Sequence, residues 1–148
     1  MRRFFILASF LLVVTLGTVR CDTSTSTAVA APTDVTFVLA DLAEIVFARN
    51  IPIEIGGEEV LDFFPVPVRH FTVHDEDLLV FEFVGPNTAA AVASTISPDG
   101  TTINGRVIDW PATPHFFLRG QVIALYLGDN FQVFGTLEQI MGPQIAGG

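Results

Sequence analysis

The run Val122-Ile123-Ala124-Leu125-Tyr126-Leu127 constrains this chain more than any other six residues. Odd and even positions are apolar alike, so a strand built from it has no face to give to water. A half-buried strand alternates, whereas a strand apolar on both faces belongs in the middle of a sheet. A single cysteine, Cys21, forecloses an internal disulfide, so the fold rests on its core alone.

Further strands group around that centre. His115-Phe116-Phe117-Leu118 joins residues 121–127 through Arg119-Gly120, a tight hairpin. Residues 68–73 and 78–84 read as strands, with the polar His74-Asp75-Glu76-Asp77 as the hairpin turn between them. Ile51, Ile53 and Ile55 alternate with Pro52 and Glu54, a half-buried strand that Pro52 assigns to an edge. Gly56-Gly57-Glu58-Glu59 reads as a turn, and residues 60–67, apolar but with two prolines, as an irregular covering segment. Residues 103–110 read as one more strand.

Three stretches carry helical spacing. Val35, Val38, Leu39, Leu42, Ile45 and Val46 form one stripe, with Thr33 or Asp34 as the cap. Asn50 suits a left-handed stop there, and Pro52 prevents continuation. Residues 88–96 are Ala-rich and end at Ser97-Pro98-Asp99-Gly100. Gly128-Asp129-Asn130 opens a third helix with Phe131, Phe134, Leu137 and Met141 as its buried face, and Gly142-Pro143 ends it. Strands that mostly meander, with helices to cover one face, predict an α+β fold: a two-layer sandwich with a mainly antiparallel sheet of about five or six strands and about three helices. The passage through residues 78–109 crosses over right-handed if its strands are parallel.

The chain's start is an address. Arg2 and Arg3 precede an apolar run over residues 4–19. That run falls short of the roughly 20 residues of a spanning helix and suits an export signal, so residues 1–20 read as a signal segment. Cys21 follows directly, which points to lipid attachment at the new N-terminus. Arg20 departs from the small residues that precede the cysteine in lipoprotein signals. A second cleavage site at Ala28-Val29-Ala30 gives a secreted protein instead, and an uncleaved anchor is the third reading. Residues 21–33 are small, polar and low in complexity, a flexible tether to one compact domain over residues 34–148.

Charge narrows the partners. After Cys21 stand sixteen acidic residues against four arginines (Arg49, Arg69, Arg106 and Arg119), a net charge of −12, and the chain has no lysine. Phosphate backbones are repelled, which argues against nucleic acid, and anionic headgroups fare no better. Solubility, or adaptation to salt, is the leading reading of the acidity; weak divalent-cation binding is the sharper one.

Few residues offer chemistry. Asp75, Glu76 and Asp77 present oxygens to calcium but lack the glycine and distant bidentate glutamate of the known calcium loop, so a solvated turn stands first. His70 and His74 lie four apart on a strand, about 13 Å, too far for one metal. Asp109, Trp110 and His115 flank a loop with two prolines. If that loop doubles back, Asp109 holds the imidazole of His115 as an orienting acid does. No nucleophile accompanies them: Ser94 and Ser97 lie in no Gly-x-Ser-x-Gly elbow. The plainer reading makes Trp110 a core anchor. Trp110, His115, Arg106 and Arg119 are the candidate ligand contacts, the arginines toward an anion. With no phosphate-binding glycine motif and no Cys-x-x-Cys pair, no cofactor is expected.

Five motifs are shared with a known group. Ile96-Ser97-Pro98-Asp99-Gly100, Asp109-Trp110, Thr113-Pro114-His115-Phe116, Ile123-Ala124-Leu125-Tyr126-Leu127-Gly128-Asp129 and Gly142-Pro143-Gln144-Ile145-Ala146-Gly147 stand in that order. In combination they resemble a set of short bacterial envelope proteins, predicted lipoproteins without assigned activity. The resemblance spans residues 34–147 and implies a lipid-anchored α+β domain with no catalytic residues to carry over. The functional expectation is a non-enzymatic envelope module that binds a protein, peptide or small ligand at an exposed sheet edge. A hydrolase using His115 with Asp109 and a weak calcium-binding surface module are the alternatives.

Overall fold

The computed structural model describes residues 37–148. The signal segment, Cys21, the tether, the domain start at Asp34 and the proposed caps Thr33 and Asp34 lie outside the described residues. In chain order the elements are α1 (Leu39–Ala48), β1 (Ile53–Glu59), β2 (Val68–Val73), β3 (Glu76–Glu82), α2 (Pro86–Ala93), β4 (Thr102–Ile103), β5 (Arg106–Val107), β6 (Pro114–Arg119), β7 (Val122–Leu127), α3 (Phe131–Met141) and β8 (Gln144–Gly147). The fold is α+β with a mainly antiparallel sheet. Six strands form that sheet in the order β1-β2-β3-β7-β6-β8, every neighbouring pair antiparallel, and β4-β5 is a separate two-stranded ribbon.

β7 sits inside the sheet, between β3 and β6, with residues 122–126 all buried. Its odd and even residues serve different cores. Val122, Ala124 and Tyr126 join Phe71, Val73, Leu78, Val80 and Phe117 beneath α1 and α3. Ile123 and Leu125 join Val68, Phe81, Phe83 and Phe116 beneath α2, the β4-β5 ribbon and residues 61–66. Both faces of the sheet are therefore covered: two helices lie on one side, and α2 lies on the other. The reason is in β3 and β6 as much as in β7, because Phe81 and Phe116 are as buried as Val80 and Phe117. Because β7 is antiparallel to both β3 and β6, those two strands run parallel, and the chain between them carries α2 across the sheet.

Local sequence explains most boundaries. α1 stops as expected: Asn50 takes φ +53° and Pro52 follows. Its start differs from the expected cap, since Val38 is the N-cap and the Asp41 carboxylate accepts the Val38 N–H at 2.8 Å. Pro86 opens α2 in the first turn, where a missing N–H costs nothing. The turn between β2 and β3 is only His74-Asp75, both at positive φ, so Glu76 and Asp77 belong to β3. Residues 103–110 are not one strand. Asn104-Gly105, at φ +53° and +74°, folds them back into the β4-β5 ribbon.

Two further expectations change. Gly56-Gly57-Glu58-Glu59 is no turn: β1 continues through it with a bulge between Ile55 and Glu58. The buried stripe of α3 is Val133, Leu137, Ile140 and Met141, while Phe131 at the helix start is 82% exposed. The last residues, read only as a stop, add β8 against β6. Among the described residues no helix is long and apolar enough to cross a membrane.

Candidate functional site

Residues of the five motifs meet in one place. Gly100, at φ +70°, passes so close to the C-terminal strand that a Cβ there would stand 3.0 Å from Pro114 and 3.1 Å from Gly147. The Trp110 indole N–H donates to the Gly100 carbonyl at 2.8 Å, and its ring meets Phe63 and Phe116 edge-on at 5.3 and 6.0 Å. The Gly147 N–H donates to the Pro98 carbonyl and the Gly128 N–H to that of Thr113. The Tyr126 hydroxyl accepts the Asn130 N–H at 2.8 Å. Asp99 accepts from the Ser97 hydroxyl and from the Thr101 amide and hydroxyl, which together hold its carboxyl below the ordinary range. The motif residues therefore serve one another, as a knot that fastens the loop ends of β6, β7 and β8. Trp110 is half-buried and packs against the core on the α2 side.

The knot separates Asp109 from His115. The His115 ring stacks on Tyr126 at 5.8 Å and meets Phe134 edge-on at 5.3 Å, which places it on the α3 side of the sheet. Trp110, next to Asp109, packs on the α2 side. The partner of His115 is Gln144, whose Oε1 lies 3.0 Å from Nδ1. Gln144 in turn donates its amide N–H to the Ala146 carbonyl. That bond turns the amide oxygen toward the ring, so Nδ1–H is the donor. Asp109 is exposed, so the acid–imidazole pair envisaged from sequence does not form.

The other candidates disperse as well. Asp75 lies in the β2–β3 turn, while Glu76 and Asp77 are successive strand residues and so face opposite sides of the sheet. The three carboxylates do not converge. Among the described residues no group of three or more His, Cys, Asp or Glu is placed to hold a metal ion. His70 lies beside Glu59 at 3.4 Å, whereas His74 approaches the Thr136 hydroxyl of α3. Arg119 is half-buried: its guanidinium lies over the Phe37 ring at 4.3 Å and donates to the Ile140 carbonyl at the end of α3. Arg106 stands with Asp109 and Asp62 around an open groove of about 380 Å³ between residues 60–63 and β5.

One edge of the sheet is exposed along its length. β1 is the end strand, its only strand neighbour is β2, and six of its seven residues are exposed. Nothing among the described residues pairs with its outer side, so alternate N–H and C=O groups face outward. Ile55, 62% exposed, stands beside a trough of about 300 Å³ lined by Leu39, Ala43 and Phe71, with Arg69 and Glu82 also in its wall. Glu82 holds the start of α1 by accepting the Leu39 N–H at 3.0 Å. Arg69 pairs with Glu58 across β1 and β2. An extended chain laid along β1 would gain main-chain hydrogen bonds and, on the α1 side, an apolar seat. Sequence reasoning placed the edge at Pro52 but read its outer half as a turn, so the length of this strand went unseen.

In comparison with known proteins the chain matches no family model, no curated protein and no solved structure.

Proposed function

We propose that this chain is an exported envelope protein, held at the membrane through a lipid on Cys21, whose folded domain binds an extended segment of a partner protein without catalysing a reaction. The open, seven-residue edge of β1 beside its apolar trough carries the binding half of this reading. Strand addition at such an edge draws affinity from main-chain hydrogen bonds and specificity from pockets for alternate side chains. The arginine pair, the apolar run and Cys21 support the address. From Cys21 to Phe37 the chain can span roughly 50 Å when extended, enough to hold the domain clear of headgroups. His115, engaged by Gln144 and two aromatic rings, gives the hydrolase alternative no nucleophile to activate.

Two measurements test the proposal. The intact mass of protein recovered from a membrane fraction should equal residues 21–148 plus a diacylglyceryl and an acyl group; a mass beginning at Ala31 removes the anchor from the reading. Extended heptapeptides blocked at both ends should bind the full chain and lose binding when alternate backbone nitrogens are methylated. A hydrolase activity of the purified chain that disappears in His115→Ala at unchanged melting temperature would overturn the non-enzymatic half.

A further inference from the structure

The two sides of the β1 edge differ chemically, and the difference selects a partner. Ile53 and Ile55 lie opposite Val73 and Phe71 and so face α1. Glu54 lies opposite Thr72, and Thr72 opposite Asp77, so a row with a carboxylate at each end crosses three strands on the other face. Glu59, opposite Val68 and beside His70, belongs to that same face. Glu54, Glu59 and Asp77 are exposed. Among the described residues no arginine pairs with these three carboxylates: Arg69 pairs with Glu58 on the α1 side, Arg119 lies over Phe37, Arg49 ends α1, and Arg106, on the same side of the sheet, lines the groove of residues 60–63 without an ion pair to them.

We infer that the segment taken up by β1 is cationic, with lysine or arginine alternating with apolar residues. This rests on the edge reading above; the unpaired backbone makes the site, and the carboxylates choose among its occupants. In a strand added antiparallel, the residue opposite Ile55 points to the trough, and its neighbours point to the side of Glu54 and Glu59. Directly opposed Cβ atoms stand about 5 Å apart, within reach of a lysine or arginine head. A second copy of this chain is disfavoured by the same geometry. Pairing β1 with itself about the Gly56–Gly57 bond sets Glu54 opposite Glu59 on one face, and directly opposed like charges repel. The acidic edge thus disfavours that self-pairing while admitting a basic strand.

The test uses the full chain and three fluorescent, end-blocked heptapeptides in which valine alternates with lysine, glutamine or glutamate, read by anisotropy at low salt. The lysine peptide should bind about tenfold tighter than the glutamine peptide, and the glutamate peptide weakest. Added salt should narrow that gap. Glu54→Gln with Glu59→Gln should remove the tenfold preference and leave glutamine-peptide binding unchanged. Methylating alternate backbone nitrogens of the lysine peptide should abolish binding. Equal binding of lysine and glutamine peptides, both sensitive to methylation, would overturn the cationic inference and leave the edge reading standing. Lysine-peptide binding indifferent to methylation would show charge attraction without strand addition and overturn both. So would failure of all three peptides to bind. A dimer of the full chain, seen by sedimentation and dissolved by the peptide, would make a second copy the occupant and overturn the inference.

Discussion

Replacing Tyr126 by phenylalanine tests the knot at its tightest point. Tyr126 is wholly buried in the central strand, and its hydroxyl accepts the N–H of Asn130 at 2.8 Å. Asn130 is the N-cap of α3 and accepts the Gln132 N–H at 3.0 Å, so one hydroxyl fixes the residue that starts a helix. Tyr126→Phe keeps the ring and its packing but leaves the half-buried Asn130 N–H without its acceptor. Such a loss costs about 1–2 kcal/mol. In a domain of this size that lowers Tm by roughly 5–10 °C. A second signature follows from charge. Burial, chiefly, raises the Tyr126 phenol above its ordinary pKa of 10.0; Glu76 and Asp129 add to the shift, and the Asn130 amide opposes it. A group whose folded pKa is raised contributes stability that is whole below the unfolded pKa and lost as pH climbs through the folded one. The chain has one tyrosine and no lysine. Among the described residues no other side chain therefore titrates between about pH 9 and 12. The parent should lose stability above about pH 10 while Tyr126→Phe stays flat there. Urea unfolding followed by the fluorescence of Trp110, the sole tryptophan, reads both effects at neutral and alkaline pH. A variant within about 0.5 kcal/mol of the parent that keeps the alkaline loss would refute the assigned role of the hydroxyl.

Two further substitutions probe the backbone. Gly147→Ala places a Cβ 1.8 Å from the Pro114 carbonyl oxygen at φ +98°, so β8 must leave β6. Because a terminal strand can swing away, the cost stays near the value of its docking, about 2–3 kcal/mol, and the last six residues should become open to protease; an undiminished Tm with a protected C-terminus would contradict this. Asp75→Gly, at φ +63° in the two-residue β2–β3 turn, should raise stability by about 0.5–1 kcal/mol, and a thermal melt showing a lower Tm would refute the assigned turn.

Element types were largely legible because they are local. The two-faced apolarity of β7, the alternation of β2 and the Asn50-Pro52 stop depend on neighbours a few residues away. Misreadings arose where a local signal was overlooked or outweighed. Asn104-Gly105 breaks what alternation alone presents as one strand, and Gly56-Gly57, usual in turns, is carried through β1 by pairing with β2. The open edge was legible only in part, because edge status belongs to the whole sheet.

By itself the sequence determined that β7 is apolar on both faces, and hence that it lies inside. It also placed the signal-like run, Cys21 and the acidic imbalance on the chain. Only the tertiary structure decided that β7 inserts between β3 and β6, that α2 covers the face opposite α1 and α3, and that Phe131 points to water. It also decided that Asp109 and His115 part company across the sheet, and that among the described residues the outer side of β1 has no strand partner. The physical reason is one of range. Periodicity is set by backbone geometry within a segment, whereas the covering of a face and the fate of an edge depend on elements far away in sequence.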